Sequence, residues 1–394
     1  MKKDNYSTII DFGSRKLRLG VFDNKLSKLF FQSKTISQNS NYEEYLKSIN
    51  FLIREAENKI SSHLENISVL FDTSDISTID LSIKKKLDQK IFFKDVYSSI
   101  ILEANQLIKD CYINKKIIHF IIKKYIINGE EFSNTPNETS EIKSIILEVK
   151  FICLPYNSYK NIIEIFKKNN LKILNFSLTS LVKSFRYLNS FKENKIVAFL
   201  DIGLNRTTLI LFINQKLEYL NSIPIGGNHV SKDISKIMKL SFDESENLKK
   251  TINGSDLNFT YYKSEQNDQD YLTKKFEGKN IKIELLKKVV LARAEELIQL
   301  SFKDIRVLEN INKEQNLNLV LIGDGSKIFN KNSFQIENKY NFKEISFYEE
   351  NDFEICEAGL AFKKQFIKEE QEKLKKNHKK MGFFHKFFNL FANS

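Results

Sequence analysis

The chain has no tryptophan, three cysteines and three prolines in 394 residues, and each scarcity excludes something. Cys111, Cys153 and Cys356 lie far apart and form no CxxC pair, so neither a disulfide framework nor a metal-ligating spacing is present, which fits a reducing compartment. Five histidines are too few to favour a zinc site. Three Pro and twelve Gly argue against disorder, collagen-like repeats and a loop-dominated scaffold. No apolar run approaches the roughly 20 residues of a membrane span. The opening MKKDNYSTIIDFG lacks the apolar core of a signal peptide. The expectation is a protein made and kept in the cytoplasm, unless something anchors it from that side.

What is present is ample material for burial: 41% hydrophobic and 12% aromatic residues. The length exceeds what one ordinary core accommodates, so two or more structural units are expected. The net charge of +12 invites a nucleic-acid reading. Its distribution weakens that reading. Residues 363–394 carry nine Lys against three Glu, about half of the excess, and the remainder is diffuse in a chain rich in Lys, Ile, Asn and Phe. No nucleic-acid partner is expected.

An internal repeat organises the chain. Residues 9–24 read IIDFGSRKLRLGVFDN and residues 199–214 read FLDIGLNRTTLILFIN. At an offset of 190, Asp11 pairs with Asp201, Gly13 with Gly203, Leu19 with Leu209, Phe22 with Phe212 and Asn24 with Asn214. Each copy reads as a strand ending in Asp-x-Gly, a short polar turn and a second strand, and a third strand follows. Each opens a stretch of about 190 residues that continues into helical patterns. Two tandem α/β halves facing each other across a cleft are the expectation. NLVLIGDGSKIF (318–329) reads as a short buried strand, a Gly323–Ser326 turn and a helix start. Glycine there lets backbone approach a ligand, and a helix N-terminus favours anions.

Elsewhere Leu46, Ile49, Leu52, Ile53, Ala56 and Ile60 have helical spacing. Residues 73–155 alternate strand-like pieces with a helical stretch near 94–109 and a loop at 133–140, and read as a small α+β insertion. Residues 157–170 and 177–190 predict two helices, and 281–311 a long one.

Two acidic hairpin turns facing one another suit a nucleoside triphosphate with a divalent cation. Backbone N–H groups of the turns address phosphate oxygens. Asp11 and Asp201 are the candidates to hold a hydrated Mg²⁺, which prefers oxygen ligands. Gly13, Ser14, Arg15 and Lys16 line one phosphate loop in this reading, and Gly203, Leu204, Asn205 and Arg206 the other. Gly323, Asp324, Gly325 and Ser326 lie against the nucleoside. A lone Asp before a turn is more often a turn cap; the reading rests on the ensemble.

This order of motifs resembles the actin, Hsp70 and sugar-kinase superfamily. Within it, IPIGGNHVSKDISKIMKLSFDESENLKK (223–250) resembles the FtsA family, through Gly226-Gly227, Val230, Asp233-Ile234, Glu244, Glu246 and Lys249. VVLARAEELIQLSFKDI, with Arg293 and Glu295-Glu296, and ICEAGLAF (355–362) extend the resemblance to essentially the whole chain. It implies a two-lobed actin-like α/β fold, with the first lobe from 1–74 and 353–366, an FtsA-type insertion at 75–155, the second lobe from 156–225 and 306–352, and a second insertion at 226–305. It implies bound ATP and Mg²⁺, with Gly226, Gly227, Glu246 and Lys249 bordering the nucleotide. It further implies filaments of the chain itself, the C-terminal peptide of the tubulin-like FtsZ as partner, and later division proteins recruited in turn. Three places depart from the family, one of them Asp324, which puts a negative charge in the late turn where glycine is usual. Leu204-Asn205-Arg206 stands where small residues are usual, and Thr208 stands where an acidic residue is usual. ATP hydrolysis is therefore expected to be slow at most.

A charged linker (367–378) leads to KKMGFFHKFFNLFANS (379–394). On a helix, Phe383, Phe387, Leu390 and Phe391 share a face with Phe384 and Phe388 beside them, while Lys379, Lys380 and Lys386 supply charge. Too short to span, this is the pattern of an interfacial helix on an anionic membrane. The expected place is the cytoplasmic face of the bacterial inner membrane at the division site. Rivals are a small-molecule kinase or phosphatase of the superfamily, another membrane-associated actin-like scaffold from pilus assembly or cell shape, and a nucleotide-free pseudo-actin.

Overall fold

The computed structural model describes residues 6–37, 42–253, 271–276, 279–303, 305, 308, 317–328 and 342–363, with the side chains of 251–253, 271–280, 283 and 284 outside the description. The membrane-helix residues Phe383, Phe384, Phe387, Phe388, Leu390, Phe391, Lys379, Lys380 and Lys386 lie outside the described residues, as does the linker 367–378.

Two five-stranded sheets of the same design form the centre. In the first, β1 (Tyr6–Phe12), β2 (Lys16–Asp23) and β3 (Lys28–Thr35) make an antiparallel meander. The strands β4 (Asn66–Phe71) and β9 (Lys172–Ser177) add in parallel beyond β1, giving the order β3-β2-β1-β4-β9. In the second, β10 (Ile196–Ile202), β11 (Thr207–Ile213) and β12 (Lys216–Ile223) form the meander, and β15 (Leu317–Ile322) and β16 (Phe342–Phe347) add in parallel, giving β12-β11-β10-β15-β16. The register repeats too: Asp11 faces Arg18 and Asp201 faces Thr208, each pair displaced by the 190 residues of the sequence repeat.

Helices cover these sheets for ordinary reasons. The helix α1 (Tyr42–Ile60) buries Ile49, Leu52, Ile53 and Ala56, one stripe at three- and four-residue spacing. Each large member contributes about 1.5–3 kcal/mol by leaving water. The strands β10 and β15 are buried along their whole length, as strands covered on both faces must be. One face of the second sheet (Phe199, Phe212, Val320) joins the first sheet's core through α4 (Thr179–Leu188) and α8 (Asp352–Phe362), which pack on each other. The other face packs on α5 (Gly227–Met238) and α7 (Ile283–Ser301). A single apolar core thus ties the lobes together beneath the cleft.

Between β4 and β9, the strands β5 (Ser77–Phe92), β6 (Lys115–Ile127), β7 (Glu130–Phe132) and β8 (Glu141–Pro155) make a separate antiparallel sheet ordered β5-β8-β6-β7. The helix α2 (Phe93–Cys111) lies on it over a core of its own, including Ile100, Ile145 and Phe151. Lys123 reaches Glu218 of the second lobe at 2.9 Å. The remaining elements are α3 (Tyr156–Lys167), α6 (Phe242–Asn253), β13 (Tyr271–Phe276) and β14 (Lys279–Lys282).

Two local expectations need correction. The helices expected at 157–170 and 177–190 are α3 and α4, and the strand β9 between them was not anticipated. Its residues KILNFS contribute only two buried positions, too little alternation to mark it. The helix start expected after Gly323 is a single 3-10 turn, Asp324–Ile328.

Candidate functional site

A cavity of about 700 Å³ opens between the two meanders, within the range of small-molecule sites. Both hairpin turns reach it, with the Gly323–Ser326 turn and the start of α4. Asp11, Gly13, Ser14, Arg15, Lys16, Asp201, Gly203, Leu204, Arg206, Gly227, Glu246, Lys249, Gly323, Asp324, Gly325 and Ser326 all line it. Asn205 and Gly226 do not.

Gly226 and Gly227 have a different task from contacting a ligand. The Gly227 N–H donates to the Gly203 carbonyl (2.9 Å) and the Asn228 N–H to the Leu204 carbonyl (2.8 Å), so the start of α5 buttresses the second hairpin turn. A Cβ on Gly226 would stand 2.5 Å from the Gly203 carbonyl oxygen. Gly323 is constrained twice, by φ +86° and by Asp201, whose carboxylate would lie 2.3 Å from a Cβ there.

Most acidic residues of the cleft are met by a basic side chain. Arg18, opposite Asp11 on β2, donates through Nη1 to Asp11 at 2.6 Å and through Nε to Asp352 at 2.8 Å. Thr179 donates to the other Asp11 oxygen at 2.8 Å. Lys183, one turn into α4, bridges Asp201 (2.8 Å) and Glu350 (2.7 Å). Asp72, just past β4, accepts from Arg206 Nη2 at 2.7 Å and from the N–H and hydroxyl of Ser180 at 2.9 and 3.1 Å. Lys16 lies 3.2 Å from both Asp352 oxygens, and Arg15 lies 3.6 Å from Glu246 across the cleft mouth. Lys249 donates to the Gly227 carbonyl (2.9 Å) and Ser231 (2.7 Å) and pairs with Glu246 (2.6 Å).

Burial works against the charge on Lys183, but Asp201 and Glu350 outweigh it and hold its pKa above the usual lysine value. Burial pushes the Asp72 carboxyl up, opposed by Arg206 and reinforced by Asp201. Glu246 lies below the usual carboxylate value: burial raises it, and the Lys249 and Ser231 hydrogen bonds more than reverse that.

The fit to an anionic ligand and the fit to a divalent ion differ. The Arg206 Nε–H is buried without a partner among the described residues, and its neighbourhood is the second hairpin turn. It is occluded as the side chain stands, and a shift of the guanidinium would be needed to bring it to a phosphate oxygen. A cation on Asp11 and Asp201 is a poorer fit, because Arg18 and Lys183 already pair with them. Among the described residues no cluster of three or more His, Cys, Asp or Glu has the arrangement of a metal site. Thr208, another departure from the family pattern, hydrogen-bonds Ser222 at 3.0 Å.

Sequence reasoning missed Asp72, Thr179, Lys183, Glu350 and Asp352. One signal was available: Thr179, Ser180, Lys183 and Ser184 share one face of a helix, a polar stripe in an otherwise apolar segment.

The chain has the actin-like ATPase fold. Its architecture matches a type IV pilus PilM–PilN complex structure with a TM-score of 0.57 over 89% of each chain at 14% identity, and Spiroplasma citri MreB5 bound to ADP with a TM-score of 0.50 over 93% of this chain and 99% of that one at 13% identity. Within that fold, the chain is similar to the cell division protein FtsA. The family model described as Cell division protein FtsA matches residues 198–327. FtsA of Borreliella burgdorferi is 29% identical over 138 residues, 35% of this chain and 33% of that protein. FtsA of Bacillus subtilis is 25% identical over 210 residues, 52% of this chain and 46% of that protein. The matched segments thus span a third to a half of these relatives' length.

Proposed function

We propose that this chain is an actin-like adaptor of bacterial cell division that binds ATP between its lobes, self-associates into filaments on the inner membrane, and tethers FtsZ filaments to it. The observation that carries the nucleotide part is the pair of duplicated hairpin turns lining one cavity, with the buried, unpartnered Arg206 Nε–H beside the second. The cell-division part rests on the similarity to FtsA, which covers the second hairpin, α5 and the Gly323–Ser326 turn. The FtsZ peptide is assigned to residues 226–305, and later division proteins follow it. Membrane attachment rests on the Phe- and Lys-rich segment 379–394, and no helix among the described residues is long and apolar enough to cross a membrane. Each Lys near an anionic leaflet adds about 1 kcal/mol, and a filament of many weak anchors binds by avidity.

The test is co-sedimentation with anionic liposomes, comparing the full chain with a version ending at Lys376, with and without ATP. Binding that requires the tail and strengthens with ATP supports the adaptor. Equal amounts of both versions in the supernatant remove the membrane assignment.

A nucleotide-free pseudo-actin is the second reading. It is favoured by the side chains of Leu204 and Arg206 at the second turn and by the internal pairing of Asp11, Asp72 and Asp201. Titration calorimetry with ATP separates the two.

A further inference from the structure

The family resemblance implies Mg²⁺ held by Asp11 and Asp201, and the structure of this cleft is at odds with that arrangement. The inference rests on the nucleotide reading above. Three cations are built into the floor of the cleft. Lys183 Nζ lies between Asp201 and Glu350 at 2.8 and 2.7 Å, with all three side chains 7% exposed. Arg18 bridges Asp11 and Asp352 at 2.6 and 2.8 Å. Arg206 reaches Asp72 at 2.7 Å. They come from different parts of the fold, α4, β2 and the second hairpin turn, yet each meets a carboxylate at the end of a central strand or just past it.

A hydrated divalent ion needs carboxylate oxygens free of competing donors and neighbours that do not repel it. At Asp201 the second condition fails, because Lys183 holds Oδ1 and stays charged in a buried site where screening is weak. Asp11 accepts Arg18 on one oxygen and Thr179 on the other. What the cleft presents to an anion is complementary. Arg206 lines the cavity, and Arg15 and Lys16 stand at the mouth with more than a third of their side chains exposed.

We infer that the cleft takes its nucleotide polyphosphate without a divalent cation, with Lys183, Arg18 and Arg206 as resident charges in the place that the ion would fill. In this arrangement Lys183 offsets one of the two negative charges of the Asp201–Glu350 pair and stands where Mg²⁺ would bridge them. The phosphates meet fixed protein charge rather than a mobile ion, which is suited to holding a nucleotide as a structural link between the lobes.

The experiment is calorimetric titration of the full chain with ATP and with ADP, in excess MgCl₂ and in EDTA. The expected result is dissociation constants within about threefold of each other in the two media, a difference well under 1 kcal/mol. Binding weakened about a hundredfold or more by EDTA overturns the inference and leaves the nucleotide reading standing. No binding in either medium overturns the nucleotide reading, and the inference with it. The Lys183→Ser variant tests the assignment of the lysine. With the cation gone, Asp201 and Glu350 face each other unpaired, and MgCl₂ alone is expected to raise this variant's melting temperature while leaving the parent's unchanged. A folded variant whose melting temperature and ATP affinity both ignore Mg²⁺ overturns the assignment. Should the variant fail to fold, the parent's comparison in MgCl₂ and EDTA decides by itself.

Discussion

Arg206 Nη2 lies 2.7 Å from the carboxylate of Asp72, 134 residues earlier in the chain and on the other lobe. The two residues come from corresponding ends of different sheets, the β10–β11 turn and the residue after β4. Their meeting fixes the spacing of the lobes at the floor of the cleft. Asp72 also accepts from the N–H of Ser180, so one buried carboxylate joins a strand end, the start of α4 and the second hairpin turn.

Removing that carboxylate leaves a buried guanidinium and a buried N–H unpaired. Asp72→Ala is expected to cost about 3–5 kcal/mol, the usual penalty for breaking a buried pair from one side. Arg206→Met combined with Asp72→Ala is expected to recover part of it. Urea denaturation of the four members of the cycle measures the coupling. Strict additivity of the two single losses would show that the pair does not act as a unit.

Three glycines separate crowding from backbone strain. Gly129 has φ +92° with nothing within 4 Å of a Cβ, so Gly129→Ala is expected to lose about 1 kcal/mol from conformation alone. Gly226→Ala forces a methyl to 2.5 Å from the Gly203 oxygen without a positive φ, and about 1–3 kcal/mol is expected from overpacking. Gly323→Ala combines both faults and is expected to be the worst of the three. Melting temperatures rank them, and Gly129→Ala matching Gly323→Ala would contradict the crowding account.

His119 is buried among apolar side chains, edge-on to Phe362, with neither ring nitrogen partnered among the described residues. Burial alone pushes its pKa down from 6.5 to about 4. The unfolded chain therefore binds a proton between those values that the folded one does not. The stability contributed by the neutral ring is complete above about pH 6.5 and is lost as pH falls toward 4. From pH 7 to 5 the loss is roughly 2 kcal/mol. His119→Phe is expected to flatten that part of the stability–pH curve in chemical denaturation. An unchanged slope would place the acid sensitivity elsewhere.

Of the three cysteines, Cys111 is exposed while Cys153 and Cys356 are buried. Burial pushes the Cys153 thiol up to about 11, with Lys115 opposing weakly, and Cys356 also lies above its usual value. Ellman's reagent is expected to modify one thiol promptly in the native protein and the other two only on unfolding. Prompt modification of two or more would show that a core opens readily.

Much of the architecture was legible in sequence because it repeats. A period-two hairpin ending in Asp-x-Gly, found twice at the same offset, gave matched sheets, and the 3.6-residue stripes of α1 and α2 gave the helices that cover them. The partners of the acidic residues were hidden. Arg18 and Asp352 are 334 residues apart, and the polar stripe that holds Lys183 does not say which carboxylates it meets. Gly226 was read as bordering the nucleotide because the family resemblance implies it. Here its small size lets α5 approach the turn.

By itself the sequence determined most of the strands and helices, β9 and the 3-10 turn after Gly323 excepted, and that the chain holds two like halves, since both follow from local periodicity and from a repeat within one string. Only the tertiary structure decided what the carboxylates of the cleft face. An ion pair depends on where strand ends and helix starts from distant segments meet, and in a buried site the nearest counter-charge governs the chemistry far more than the residue's own type.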